Sequence, residues 1–143
     1  MLAAIREGWG WTGIEPAEVI GVNAFGNLIA RDIHGRYWRI CPEDVYCKVV
    51  ADSTASYHAL LNDKDFVDDW EMSGLVNEAR ETVGQLESGQ SYCLKVPGIL
   101  GGAYGGENLA TISTIELIRF SGDLGRQIRD LPDGSKIELR VVE

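Results

Sequence analysis

Two histidines, His34 and His58, and three cysteines, Cys41, Cys47 and Cys93, are the residues best suited to hold a soft metal or to act as base and nucleophile. A zinc site takes three or four such ligands, usually with two of them close in sequence. None of the five has that spacing, so no metal and no cofactor is expected. Cys93 and His58 could still meet as nucleophile and base, because such pairs are neighbours in the fold rather than in the chain. Cys93, however, lies between Tyr92 and Leu94 in an alternating stretch, where a small buried thiol is the commoner occupant.

The segment from Pro97 to Asn108 contains Gly98, Gly101, Gly102, Gly105 and Gly106 and invites a phosphate-binding reading. A P-loop places Lys and then Ser or Thr directly after its last glycine, to hold phosphate and magnesium. Glu107 and Asn108 stand there instead, and a glutamate repels a phosphate. The GxGxxG spacing of a dinucleotide fingerprint is also absent. A tight structural loop, with glycines at left-handed backbone angles, is the expectation. A small-molecule or hydrolase site built from this loop with Glu107, Tyr104 and Cys93 stays open as an alternative.

The densest acidic cluster is Asp63, Asp65, Asp68, Asp69 and Glu71, offset only by Lys64. Phe66, Val67 and Trp70 recur at helical spacing, so the carboxylates face solvent on the other side of a helix. A solvated face is the plain explanation. The functional one is a negative patch that docks on the basic surface of a nucleic-acid-binding protein and blocks it. Trp9 and Trp11, set among Gly8, Gly10 and Gly13, are either core aromatics or a partner-facing hot spot.

These residues must be positioned by elements that the pattern predicts. In the first third, Val19 to Phe25, Leu28 to Ile33 and Arg36 to Cys41 read as strands joined by two-residue links at Gly26-Asn27 and His34-Gly35, a meander with one face on a core. Val45 to Val50 resumes as a short β-rich run after Pro42. Asp52 or Ser53 caps a helix with Tyr57, Leu60 and Leu61, and Asp63 caps the acidic one. A third helix starts near Ser73, carries Leu75, Val76, Ala79, Val83 and Leu86, and stops at Ser88-Gly89. Ser91 to Val96 reads as a strand. Ser113 with Glu116 forms a capping box for a long helix whose apolar face holds Ile115, Ile118, Leu124, Ile128 and Leu131. Gly122 and Gly125 cost that helix propensity, which points to the close approach of another backbone. A turn at Leu131 to Gly134 leads into an alternating strand, Ser135 to Val142. The fold class is therefore α+β, an antiparallel sheet built on the N-terminal meander and a C-terminal strand and packed by several helices.

At 143 residues, with 45% hydrophobic and 24% charged residues, the chain has enough apolar side chains for one core, so disorder is not expected. A single domain over 1–143 follows. No apolar run reaches the roughly 20 residues that cross a bilayer, and Met1 to Gly10 lacks the layout of a signal peptide. An odd number of cysteines without close pairs fits free thiols, and a cytoplasmic location is expected. Lys and Arg number 13 against 22 Asp and Glu, a net charge of -9 that repels nucleic acid and anionic lipid and speeds encounter with a basic partner.

Five short motifs in order, Tyr92 to Pro97, Leu100 to Tyr104, Glu107 to Leu109, Phe120 to Asp123 and Asp130 to Gly134, resemble the C-terminal domain of the type VI secretion DNase-immunity family. The stretch from Gly8-Trp9-Gly10 through Gly35-Arg36-Tyr37-Trp38-Arg39-Ile40 looks like the GAD-related domain that often precedes it, which divides the chain at residues 1–51 and 52–143. The start of the chain looks like the end of an N-terminal helix, so the family's usual leading segment is expected to be short or missing. The resemblance implies an immunity protein that occludes a cognate effector, plausibly a DNase, with no catalysis of its own. A non-catalytic adaptor or regulatory domain for another protein is the alternative. The matching motifs are rich in Gly, Pro and aromatics and carry over no binding residue, so Asp63, Asp65, Asp68, Asp69, Glu71, Trp9 and Trp11 remain candidates from their own chemistry.

Overall fold

Two loops with the same hydrogen-bond pattern fold the first third of the chain. The backbone N–H of Asn23 donates to Asn27 O at 2.9 Å, and that of Asp32 donates to Arg36 O at 2.8 Å. In each loop the side-chain oxygen of the first residue accepts from the amides two and four residues on: Phe25 and Asn27 for Asn23, His34 and Arg36 for Asp32. Gly26 and Gly35 take φ of 70° and 82° at the fourth position. The links expected to span two residues therefore close as five-residue loops, because Asn23 and Asp32 supply an acceptor that reorganises the turn. The first strand ends at Val22 for the same reason.

The computed structural model describes residues 1–131. Helix α1 (Leu2–Trp9) leads into strands β1 (Pro16–Val22), β2 (Leu28–Asp32), β3 (Tyr37–Cys41) and β4 (Tyr46–Ala51), which form one antiparallel sheet in chain order. Helices α2 (Thr54–Leu60), α3 (Lys64–Glu71) and α4 (Ser73–Val83) follow, then a β5 (Gln90–Leu94) and β6 (Leu109–Ser113) hairpin-like pair, and α5 (Thr114–Ile128). The architecture is α+β, as the pattern predicts. The strand expected at Ser135 to Val142 lies outside the described residues.

Both faces of the central strands β2 and β3 are covered, where one was expected. Leu28, Ala30, Trp38 and Ile40 join Ala4, Ile5, Trp9, Ile118 and Leu124 in the main core, so α1 and α5 lie on that face. Ile29, Tyr37 and Ala51 on the other face pack against Tyr57 of α2 and Phe66 and Trp70 of α3. Strict alternation marks a sheet with one wet face, and β2 and β3 depart from it because Ile29 and Tyr37 need a second cover. A third cluster, Phe25, Ala79, Tyr92, Leu94 and Leu109, fills the space between α4 and the β5–β6 pair.

Helices α1 and α5 cross at two glycines. A Cβ on Gly8 would stand 2.9 Å from Ile118 O, and one on Gly122 would overlap the Gly8 carbonyl, which gives the expected close backbone approach its partner. The buried stripe of α5 is then Leu117, Ile118, Ser121, Gly122, Leu124 and Gly125. Ile115 and Leu131 are exposed, a correction to the predicted face: the glycine contact sets the helix rotation, and it turns Ile115 outward. Helix α4 likewise stops at Val83 rather than at Ser88-Gly89, since Gly84 takes φ 90° and its carbonyl accepts the Tyr92 hydroxyl at 2.7 Å.

Asp32 is the most heavily bonded buried carboxylate. Besides the two loop amides it accepts the Arg36 guanidinium and the Trp38 indole, each at 2.9 Å. Burial pushes its carboxyl upward, but the Trp38 N–H, the Arg36 and His34 amides and the Arg36 side chain outweigh that and hold it at about 2. A folded-state value below the unfolded one stabilises fully above about pH 4 and loses that contribution as pH falls to about 2. Asp32→Ala is expected to cost about 3 kcal/mol in urea unfolding at pH 7, a deficit that narrows as pH falls through that window. A constant deficit from pH 7 to pH 2 would remove the electrostatic account.

Candidate functional site

Charge is not spread evenly over the surface. Nine acidic residues and two basic ones fall between Asp52 and Glu87, a net -7 out of the chain's -9, and this stretch is α2, α3, α4 and the turns beside them. Helix α3 is its centre. Asp63 caps it, accepting from Asp65 N and Phe66 N, as its position before Lys64 predicts. Asp63, Asp65, Asp68, Asp69 and Glu71 are all exposed, and Lys64 pairs with Asp68 one turn on. The sequence-predicted acidic face is therefore gathered on one helix and open to solvent.

A buried polar chain, which the sequence reading missed, fastens this helix to the sheet. Arg39 on β3 is 4% exposed and donates through Nη1 to Asp69 Oδ2 at 2.6 Å. Its Nε and Nη2 donate to Asn27 Oδ1 at 3.2 and 2.8 Å. The Asn27 amide in turn donates to both oxygens of Glu43 at 3.0 and 2.9 Å. Burial raises the Glu43 carboxyl, and the Asn27 amide opposes that rise. The guanidinium lies 5.4 Å from the Trp70 ring centroid and 6.0 Å from that of Phe66. At the helix's far end, Asn23 Nδ2 donates to Trp70 O at 2.8 Å. No local signal marks it, because an arginine between Trp38 and Ile40 reads as the wet side of a strand expected to have one face on the core.

Trp9 is 0% exposed and offers no surface to a partner; it is a core residue. Trp11 is half-buried, stacked on Trp9 at 5.8 Å, and its indole N–H is shared between Gly8 O and Gly122 O at 2.9 and 3.0 Å. Together they brace the α1–α5 crossing. The glycine before Trp9 follows from that contact, because a side chain at Gly8 would part the helices.

The glycine-rich loop is stitched to itself and to its neighbours. Asn108 donates to Val96 O and Ala103 O at 3.0 and 2.7 Å and accepts from Val96 N at 2.9 Å. Gly98 N donates to Glu43 O at 2.8 Å, Gly106 N donates to Glu78 at 2.9 Å, and the Tyr104 hydroxyl meets Asp44. Its concave side is an open depression lined by Val96 and by residues of the loop from Leu100 to Asn108. The amides of Gly98, Gly101, Gly102 and Gly106 are thus spent on protein acceptors and are not free to cradle a phosphate.

Cys93 sits on β5 opposite Ala110, while His58 is on α2, which packs on β4, and no hydrogen bond joins them. Burial pushes all three thiols up: Cys93 and Cys41 above their ordinary value, and Cys47 to about 11. At pH 8 the native Cys47 is expected to react with a thiol reagent about a hundredfold more slowly than in the unfolded chain, since the thiolate is the reactive form. Cys47 and Cys93 are half-buried and Cys41 is buried; stopped-flow labelling with and without urea measures this difference in rate, and equal rates would contradict the protection assigned to Cys47.

Residues 51–125 match the family model described as T6SS immunity protein Tdi1, C-terminal. No curated protein matches the sequence. Among solved structures, the crystal structure of Atu4351 from Agrobacterium tumefaciens aligns with a TM-score of 0.56 and 16% identity, over 85% of this chain and 62% of that one. This is a likeness of fold, and the present chain spans less than two thirds of that protein.

Proposed function

Because the chain belongs to the T6SS immunity protein Tdi1 C-terminal family, with just over half of its length matched, we propose that it is an immunity protein that binds a cognate type VI effector and neutralises it by covering its working surface. The effector in this reading is a nuclease. The observation that supports it is the net -7 gathered on the α2–α4 layer, all of it inside the matched residues. A protein built to hold DNA carries a basic surface, and a fixed layer of carboxylates is attracted to it over a range set by ionic strength. Asp65, Asp68, Asp69 and Glu71 face the effector, with Asp63 holding the helix start.

The inhibitor makes and breaks no bond in this proposal, works in the cytoplasm, and uses residues 1–51 as a GAD-related part that supports residues 52–143 within one immunity domain. The shared core of α1, the meander and α5 supports treating the two parts as one unit. No helix among the described residues is long and apolar enough to cross a membrane.

The test mixes the purified chain with the effector encoded beside it. A stoichiometric complex and loss of nuclease activity are expected at physiological salt, with tighter binding at low salt. Absence of both binding and inhibition at either salt concentration would rule the proposal out.

A further inference from the structure

Helix α3 has no buried residue, yet it carries the acidic face. Beside the packing of Phe66 and Trp70 on Ile29 and Tyr37 and the Asn23 bond to Trp70 O, three of its residues meet one side chain: Arg39 bonds Asp69 and lies against the rings of Phe66 and Trp70, which share a helical face by their i, i+3 and i+4 spacing. The Arg39 side chain is 5% exposed and that of Asp69 is 69% exposed, so the pair joins the interior to the surface. Asn27 fixes the guanidinium from below, and Glu43 fixes Asn27. At its C-terminal end α3 passes into α4 through Met72, a non-glycine residue at φ 49°, a conformation that persists only where contacts enforce it. The carboxylates on α3 repel one another, with Lys64 the one cation among them.

We propose that Arg39 is the positioning residue of the acidic face, a buried clamp without which α3 leaves the sheet as a unit while the rest of the fold persists. A helix with few buried contacts and self-repelling charge sits at the low end of the local stability scale. The clamp converts it into a rigid surface, so that binding does not also have to order it. The consequence for effector binding rests on the function proposed above; the mechanical statement does not.

Hydrogen exchange read by mass spectrometry on the full chain tests the clamp. Asp69→Asn removes the charge-assisted bond from its exposed partner, and is expected to speed exchange across Lys64–Glu71 by about tenfold or more while β2 and β3 keep their protection. Asp65→Asn, which removes one carboxylate without touching Arg39, is expected to leave α3 exchange unchanged. Arg39→Lys, which keeps the charge and loses the fork, should resemble Asp69→Asn; if that variant does not fold, Asp69→Asn alone decides. No acceleration in Asp69→Asn, or one spread evenly over the chain, overturns the clamp. With effector present, Asp69→Asn should shorten the lifetime of the complex, whereas Asp65→Asn should act on the association rate. An unchanged lifetime alongside faster α3 exchange overturns the positioning role. If the chain binds no effector at all, the immunity proposal fails and the exchange result still judges the clamp.

Discussion

Replacing Asp65, Asp68 and Glu71 together by Lys is expected to slow association with the effector by about 10- to 100-fold at low ionic strength, with the gap closing as salt approaches 1 M. Three exposed carboxylates become three cations, so the local field over α3 changes sign. Attraction between separated charged surfaces acts mainly on the encounter rate, and exposed charges contribute little to folding stability. The midpoint of thermal unfolding should therefore move by only a few degrees, and the Asp63 cap and the Arg39–Asp69 pair are left intact by design. Surface plasmon resonance at several salt concentrations separates the association and dissociation rates. An association rate that is unchanged at low salt would mean that the effector docks elsewhere, and the acidic layer would then be a solubility feature.

A loss of stability as large as that at Asp32 is expected at Gly122. In an isolated helix Gly→Ala gains about 1 kcal/mol. Here the added Cβ would overlap the carbonyl of Gly8, and backbone on both sides of the contact has no rotamer to change. Relief requires α1 and α5 to separate, which also disturbs the Trp11 bonds to Gly8 O and Gly122 O. Gly122→Ala is expected to destabilise by about 3 kcal/mol, seen as a lower urea midpoint. Gly74 in α4 has nothing within 4 Å of its Cβ position, so Gly74→Ala should be neutral or slightly stabilising. Equal effects at the two positions would dismiss the close-approach argument.

Much of the fold is legible along the chain because its signals are local. Ser53, Asp63 and Ser113 cap helices where their spacing places them, since a capping bond spans only two or three residues. Runs of β-branched and aromatic residues mark β1 to β5 in the same way, whereas the sequence reading passes over β6 (Leu109–Ser113). Where a tertiary contact competes with a local signal, the reading shifts. Leu86 continues the helical stripe of α4, yet Gly84 and the Tyr92 hydroxyl end that helix before it. Ile115 fits an apolar face that the Gly8–Gly122 contact then rotates away.

The candidate site divides along the same line. Composition and spacing alone determine that this chain is strongly acidic, that its carboxylates gather around residues 63 to 71 on the polar side of a helix, and that no metal-ligand spacing is present. Those properties depend on residue type and short separations, which the sequence states directly. Only the tertiary structure decides that Trp9 is interior, that both faces of β2 and β3 are covered, and that Arg39 reaches Asp69 across 30 positions. A buried cation beside an exposed carboxylate arises from the packing of α3 on the sheet, and the energy of that pairing depends on burial, a property no residue has until its neighbours are in place.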